Sequence, residues 1–424
     1  MNDLIEKLYH YISPEEALEK IIRNINLVPR VEVVETYESC GRVLAEDVKS
    51  PYPIPKDNIS HYDGYAVKSS DTLKASTVKP VRLKIVGRID LTSNYNLSIG
   101  GGEAVYVVTG AKIPENSDAV IPVERVRILK DYIEIVRPVK YGENVTFRGS
   151  DVKEGEVILK KSHILRPQDL RFLLDIGKFK VKVYAKPRIS LMGVGDELTN
   201  DVNQSNYKKL ETSTVMISSF LKEFNIDSTR VGVVQDSPRH ILETVLSSLR
   251  NSDVVVTVGG VSLGVKDLCW TELSKHEGAI PIARGLRIQP GRATSIVVID
   301  GKPVIMLPGL IQSTICGVYY ILLPLVFYLQ GLPMKNVLPE ISAELSEEFF
   351  IREYISFKRI RFVKLLRDGD LFIAKPVQGD SSMIGTILKS DGFIEIPEGV
   401  ERMERGVKVK VRLLSISQLL QLDL

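Results

Sequence analysis

Asn251-Ser252-Asp253-Val254-Val255-Val256-Thr257-Val258-Gly259-Gly260-Val261-Ser262-Leu263-Gly264-Val265-Lys266-Asp267-Leu268 is the stretch that decides the fold. Val254 to Val258 is a short apolar run in which Thr257 interrupts four valines. β-Branched residues in a run of this length suit a strand buried on both faces of a parallel sheet. Gly259 and Gly260 end it abruptly, and Asp267 is placed to cap a helix over residues 267–276. The loop between them then lies at the carboxyl edge of the sheet, where open α/β folds bind ligands. Bare N–H groups at Gly259, Gly260, Ser262 and Gly264 can face an anion there, helped by the helix end. Asp267 reads either as a helix cap or as a Mg²⁺ ligand, and Gly-Gly after a strand also serves as a plain tight turn.

Working outward, residues 186–329 alternate strand and helix. Strands are expected at 188–192, 228–234 and 304–307, and helices at 214–224 and 238–250. This is the βαβ pattern of a doubly wound sheet. Glu197, Asp236 and Asp267 all fall at or beyond strand ends. Three acids on one edge beside a Gly-rich loop point to phosphate chemistry through Mg²⁺, although each alone also suits a cap or a turn. Residues 310–330 carry no charge and are long enough to span a bilayer. They follow a strand and a Pro308-Gly309 turn and include Gln312, Ser313, Thr314 and Pro324, so they read as a helix buried on the sheet.

The flanks differ. Ser13-Pro14-Glu15-Glu16 is a capping box that opens an amphipathic helix. Pro51, Pro53 and Pro55 impose an extended path toward Asp57 and Asp63, as in a linker or a loop that presents a carboxylate. Residues 80–140 alternate like a small β domain, with a polar loop from Thr109 to Glu115. A helix is expected at 168–176. Beyond 333, strands are expected at 349–363, 371–377, 392–396 and 407–413.

At 424 residues the chain should hold about three domains. Lys and Arg number 56 against 53 Asp and Glu, so charge gives no reason to expect nucleic acid or a membrane as partner. Cys40, Cys269 and Cys316 are scattered and form no zinc spacing, which suits a reducing cytoplasm. The five histidines are isolated, and Met1-Asn2-Asp3-Leu4 opens no apolar signal segment.

Taken in order, the motifs resemble the molybdopterin molybdenumtransferase family, related to the gephyrin E domain. They are Pro55-Lys56-Asp57-Asn58 with Asp63-Gly64-Tyr65-Ala66-Val67, Thr109-Gly110-Ala111-Lys112-Ile113-Pro114 and Arg148-Gly149-Ser150-Asp151-Val152. Gly195-Asp196-Glu197-Leu198, Gly259 to Gly264, Pro290-Gly291 and Leu307-Pro308-Gly309 follow. The resemblance covers about residues 12 to 415. It implies a multidomain α/β protein: an elongated N-terminal arm (1–50 and 141–185), a small β domain (51–140), an α/β molybdopterin-binding domain (186–332) and a C-terminal β-barrel-like domain (333–424). It implies insertion of molybdate or tungstate into adenylylated molybdopterin, with Mg²⁺-dependent release of AMP. It also implies a homodimer with a shared active site, and a molybdopterin adenylyltransferase among the partners. The family's site residues fall on Asp57, Thr109, Glu197, Asp236 and Asp267, and its substrate contacts on Gln289, Pro290, Gly291, Arg292, Pro308 and Gly309. Glu197, Asp236 and Asp267 are the expected metal ligands.

The chain departs from the family where the substrate anion is expected. Gln289-Pro290-Gly291-Arg292-Ala293 stands for Lys-Pro-Gly-Lys-Pro, and Leu310-Ile311 for Asn-Pro. Tyr62 replaces a methionine, and the basic position of the C-terminal domain falls near Ser356 or Arg359. Arginine is not equivalent to lysine at a tight anion site. The departures leave two further readings: a molybdopterin-binding paralogue with altered catalysis, or an enzyme like the molybdopterin adenylyltransferases.

Overall fold

The computed structural model describes residues 11–93, 96–261, 267–334 and 338–420. The chain divides into two compact units. One holds Glu46–His163 and Pro167–Phe179; the other holds Met1–Ala45, Ile164–Arg166 and Lys180–Leu424.

The first unit is built on a six-stranded sheet in the order Ala119–Pro122, Gly64–Val67, Glu103–Val107, Val81–Ile89, Tyr132–Ile135, Arg127–Leu129. The period-2 pattern read from the sequence explains its two cores. Tyr65, Val67, Leu83 and Ile133 fill one core, while Ala66, Val105, Val107 and Val120 fill the other. The expected helix is present as Pro167–Asp175.

The second unit contains the doubly wound sheet. Its order is Ser228–Val234, Ile189–Val194, Val254–Val258, Lys302–Leu307, Ser295–Ile299, Ala279–Arg284. The first three pairings are parallel and the last two antiparallel, so Ser295–Ile299 alone runs against the other five strands. Val254–Val258 is buried throughout. Val254, Val256 and Val258 enter one core and Val255 the other, so both faces of the sheet are covered. Helices Ser213–Glu223 and Pro238–Asn251 stand where the periodicity places them. Helix Pro14–Asn24 is capped by Ser13, whose hydroxyl accepts from the Glu16 N–H at 3.1 Å. Its Ala17, Leu18 and Ile21 join the first of these cores.

The uncharged stretch forms a helix from Ile311 to Leu329, long and apolar enough to cross a membrane by composition alone. Of its most apolar 18-residue window, 89% is buried inside the fold, as in a core helix. Its middle turn, Val318–Leu322, is a π-turn, which loosens the ladder just before Pro324, a residue with no N–H to give.

The C-terminal strands Glu340–Leu345, Lys358–Asp368, Leu371–Pro376, Gly392–Ile396 and Lys408–Leu413 close into a five-stranded barrel. The strand expected over 349–363 is not continuous. Phe349–Phe350 pairs with Arg402–Met403 in a separate ribbon, and the barrel strand starts at Lys358. Between them Tyr354 adopts a φ of 52°, and the Phe357 N–H donates to its carbonyl at 3.0 Å. That turn breaks the run although its side chains favour strand. The helix expected at 267–276 is also shorter, Leu268–Leu273.

Candidate functional site

Gly259 and Gly260 sit at φ values of 91° and 64°. A Cβ on Gly259 would lie 2.3 Å from the Val194 carbonyl oxygen, and one on Gly260 would lie 2.7 Å from Cys269 Sγ. Close packing of the strand end against its neighbours therefore demands both glycines, without any ligand. The helix that follows has six residues, too few to supply the helix-end charge expected from the sequence. Ser262 and Gly264 lie outside the described residues.

Asp267 is the N-cap. Its Oδ1 accepts from the Trp270 N–H at 3.1 Å. The residue is only 2% exposed, and its Oδ2 has no hydrogen-bond partner among the described residues. Arg284 Nε stands 3.9 Å away. Burial pushes the carboxyl up to about 6 despite the Trp270 N–H and the Arg284 charge. A capping carboxylate needs one oxygen; the second makes no hydrogen bond among the described residues and has the Arg284 guanidinium as its charge partner. The nearby Cys269 thiol is pushed up to about 12 by burial and by the Asp267 charge, which rules it out as a thiolate nucleophile near neutral pH.

Asp236 belongs to a different group. Val194 pairs with Val234, so the chain leaves two adjacent parallel strands side by side. The Asp236 N–H donates to Asp196 Oδ1 at 3.2 Å. Partial burial and the like charges of Asp196 and Glu197 hold the Asp236 carboxyl above its usual range. Glu197 and Asp236 thus share an acidic edge, with Asp196 as a third member that the sequence reading passed over. Among the described residues no three His, Cys, Asp or Glu side chains stand close enough to hold a metal ion. The expected trio of Glu197, Asp236 and Asp267 is therefore not gathered into a ready coordination sphere.

The expected substrate contacts are gathered. Gln289, Gly291, Arg292, Pro308 and Gly309 line one cavity of about 340 Å³, together with Val261, Leu310 and Ser381. Gln289 and Pro290 also line an adjoining cavity of about 240 Å³ with Gln312, Arg359, Arg361 and Ser381. Gln289 and Ser381 are common to both. Ile288–Gln289 joins the barrel as a parallel strand, and its register sets Gln289 beside Arg359. Of the two residues near the family's basic position, Arg359 lines the smaller cavity and Ser356 is not among its lining residues.

Arg361, which the sequence reading passed over, lines the same cavity. Arg359 and Arg361 are two apart on one strand and so share a face, while Ile360 and Phe362 enter the core. Burial lowers both guanidinium pKa values, and the Arg361 charge lowers that of Arg359 further. Arg359 also donates to the Glu353 carbonyl at 2.6 Å, and the Glu353 charge acts against the lowering. Asp380 lines the same cavity, so the two guanidiniums give it a mixed lining in which cations outnumber the acid. Arg292, by contrast, lies 4.5 Å over the Tyr354 ring. Gln289 Oε1 is buried without a partner among the described residues.

Asp57 and Thr109 belong to the other unit. Asp57 pairs with Lys112 at 3.1 Å. Thr109 donates from its N–H and its hydroxyl to Asp63 Oδ1 at 2.6 and 2.8 Å, which holds the Asp63 carboxyl below its usual range.

Three family models match along the chain. They are the MoeA N-terminal region (domain I and II) over residues 12–177, the probable molybdopterin binding domain over 190–327, and the MoeA C-terminal region (domain IV) over 355–414. A Methanocaldococcus jannaschii protein assigned to molybdopterin biosynthesis is 30% identical over 97% of this chain and 99% of its own. A Staphylococcus aureus molybdopterin molybdenumtransferase is 27% identical over 94% and 95%. The crystal structure of a molybdopterin biosynthesis MoeA protein from Pyrococcus horikoshii superposes with a TM-score of 0.83 at 30% identity, covering 96% of this chain and 99% of that one. These matches run through the N-terminal, central and C-terminal regions alike, and on them the chain belongs to the MoeA family of molybdopterin biosynthesis proteins.

Proposed function

We propose that this protein is a molybdopterin molybdenumtransferase that inserts molybdate or tungstate into adenylylated molybdopterin and releases AMP. One observation carries the reading: two cavities adjoin across Gln289 and Ser381, and one of them is lined by two arginines, Arg359 and Arg361, against one acid, Asp380. A tetrahedral oxyanion suits the smaller cavity, where Arg359, Arg361 and the Ser381 hydroxyl are donors. The larger cavity suits the pterin, with Arg292 positioned for its phosphate. Insertion then requires transfer over only the width of the Gln289–Ser381 boundary. A reading as a small adenylyltransferase-like enzyme leaves the barrel, and with it the arginines, without a role.

The proposed reaction uses Mg²⁺. Asp267 is the candidate ligand; because Glu197 and Asp236 stand in a separate group, the ion would be completed by substrate oxygens rather than by them, and it would neutralise charge that develops on the departing phosphate. The residues themselves position the substrate: the Gly259–Gly260 turn fixes the cavity wall, and the arginines orient the oxyanion. The test is to incubate the protein with adenylylated molybdopterin, Mg²⁺ and each oxyanion, and to follow AMP. Release should depend on the oxyanion. Tight pterin binding with no AMP released would instead favour the catalytically altered paralogue.

Two further expectations belong to this proposal. All three cysteines are free, which suits the cytoplasm. A homodimer is expected, and sedimentation at micromolar concentration should give twice the chain mass; a monomer there would rule it out.

A further inference from the structure

Gln312 sits near the start of the buried Ile311–Leu329 helix and is only 4% exposed. An amide in such a place costs stability unless its polar atoms are used. They are used on the barrel. The Gln312 N–H donates to the Ser381 carbonyl at 3.3 Å, and its side-chain Nε2 donates to the Asp380 carbonyl. One residue thus holds two consecutive carbonyls of a loop 68 positions away. The loop's other bonds are local: the Asp380 carbonyl also accepts from the Met383 N–H at 3.1 Å, and Asp380 Oδ1 accepts from the Ser382 N–H at 2.9 Å. Those bonds fix the loop's shape. The bonds from Gln312 fix its place against the sheet domain, and Ser381 lines both cavities at that place.

We infer that Gln312 is a positioning residue for the oxyanion. It latches residues 380–381 so that the Ser381 hydroxyl stands at the boundary between the two cavities. This rests on the smaller cavity being the oxyanion site. Gln312 lines that cavity too, but its Nε2 is committed to Asp380 and its carbonyl oxygen would repel an anion, so its action runs through the loop.

The experiment compares wild type with Gln312→Leu and Gln312→Met, both of which remove the Nε2 donor and keep similar bulk. Two variants are used so that a packing fault in one does not decide the outcome. Calorimetry with tungstate and with molybdate gives oxyanion affinity, and molybdopterin is titrated separately. Loss of one buried hydrogen bond at a binding loop should weaken oxyanion binding about tenfold, with pterin affinity within about twofold. In turnover the oxyanion KM should rise while kcat at saturating oxyanion is retained. Wild-type oxyanion affinity in both variants, whatever their melting temperature, would leave Gln312 a structural tie and overturn the inference alone. A wild-type protein that binds neither oxyanion would overturn the reading of the cavity, and the inference with it.

Discussion

Asp267→Asn should yield a protein that is more stable at pH 8 and slower by at least about 10²-fold in AMP release. The two effects have separate causes. Asparagine caps as well as aspartate, so the bond from the Trp270 N–H survives. What disappears is a buried charge whose second oxygen has no hydrogen bond among the described residues and only the Arg284 ion pair at 3.9 Å. The folded carboxyl titrates at about 6 against an ordinary 3.8, so folding favours the protonated form. The stability this group contributes is therefore fully present below pH 3.8 and is lost as the pH rises through about 6. A carboxyl raised this far costs up to about 3 kcal/mol once ionised. The asparagine amide needs its own acceptor and Arg284 loses an ion-pair partner, so a net gain of about 1–2 kcal/mol at pH 8 is expected. That gain should vanish below about pH 4. Urea unfolding across this range measures it. Mg²⁺ should raise the melting temperature of the wild type more than that of the variant. Normal turnover in a stabilised variant would reduce Asp267 to a cap.

The same residue shows how far the sequence could be read. Its place as a cap is local information: an acid just before a helical run, three residues from the N–H it accepts. Val254–Val258 was legible for a similar reason, since a β-branched run without polar alternation fits only a strand with two covered faces. The company each acid keeps was not legible. Asp196 and Asp236 meet because Val194 and Val234 are paired neighbours in the sheet, and no local pattern reports that register. Asp267 lies nine residues beyond the end of its own strand, and its carboxylate ends up beside Arg284 instead. Gly259 and Gly260 stood out as a tight turn or an anion loop; what the packing adds is that the Val194 carbonyl and the Cys269 sulfur demand both glycines. Gln312 and Ser381 could not have been found from spacing, because only the packing of the barrel on the buried helix brings them together. Arg361 could have been. Lys358-Arg359-Ile360-Arg361-Phe362 alternates charged and apolar residues, and two arginines on one strand face are a visible signal.

That signal bears on the departure at Gln289, where the family carries a lysine. Arg359→Ala should weaken oxyanion binding by about 10²-fold, the scale of losing a charge-assisted hydrogen bond inside a partly buried cavity. Arg361→Ala should cost about tenfold, since its guanidinium also lies 5.0 Å from the Phe349 ring and is shared with that contact. Arg361, on the same cavity, is expected to supply the positive charge that Gln289 lacks. A lysine at 289 would then be a third cation beside two whose pKa values are already depressed. Gln289→Lys alone should therefore lower the stability of the ligand-free protein and leave oxyanion affinity within a few-fold of wild type. In the Arg361→Ala background the same lysine should restore at least half of the lost affinity in free-energy terms, because it meets one guanidinium rather than two. The four proteins form a double-mutant cycle, and tungstate titration at fixed ionic strength reads it. Additive effects would show that positions 289 and 361 do not substitute for one another. If Gln289→Lys raised affinity equally in both backgrounds, the cavity would be short of charge, and the loop departures would limit insertion. A strong gain only without Arg361 would mean that this chain has moved the cation from the sheet domain to the barrel, where strand geometry, not a loop, sets its distance from the oxyanion.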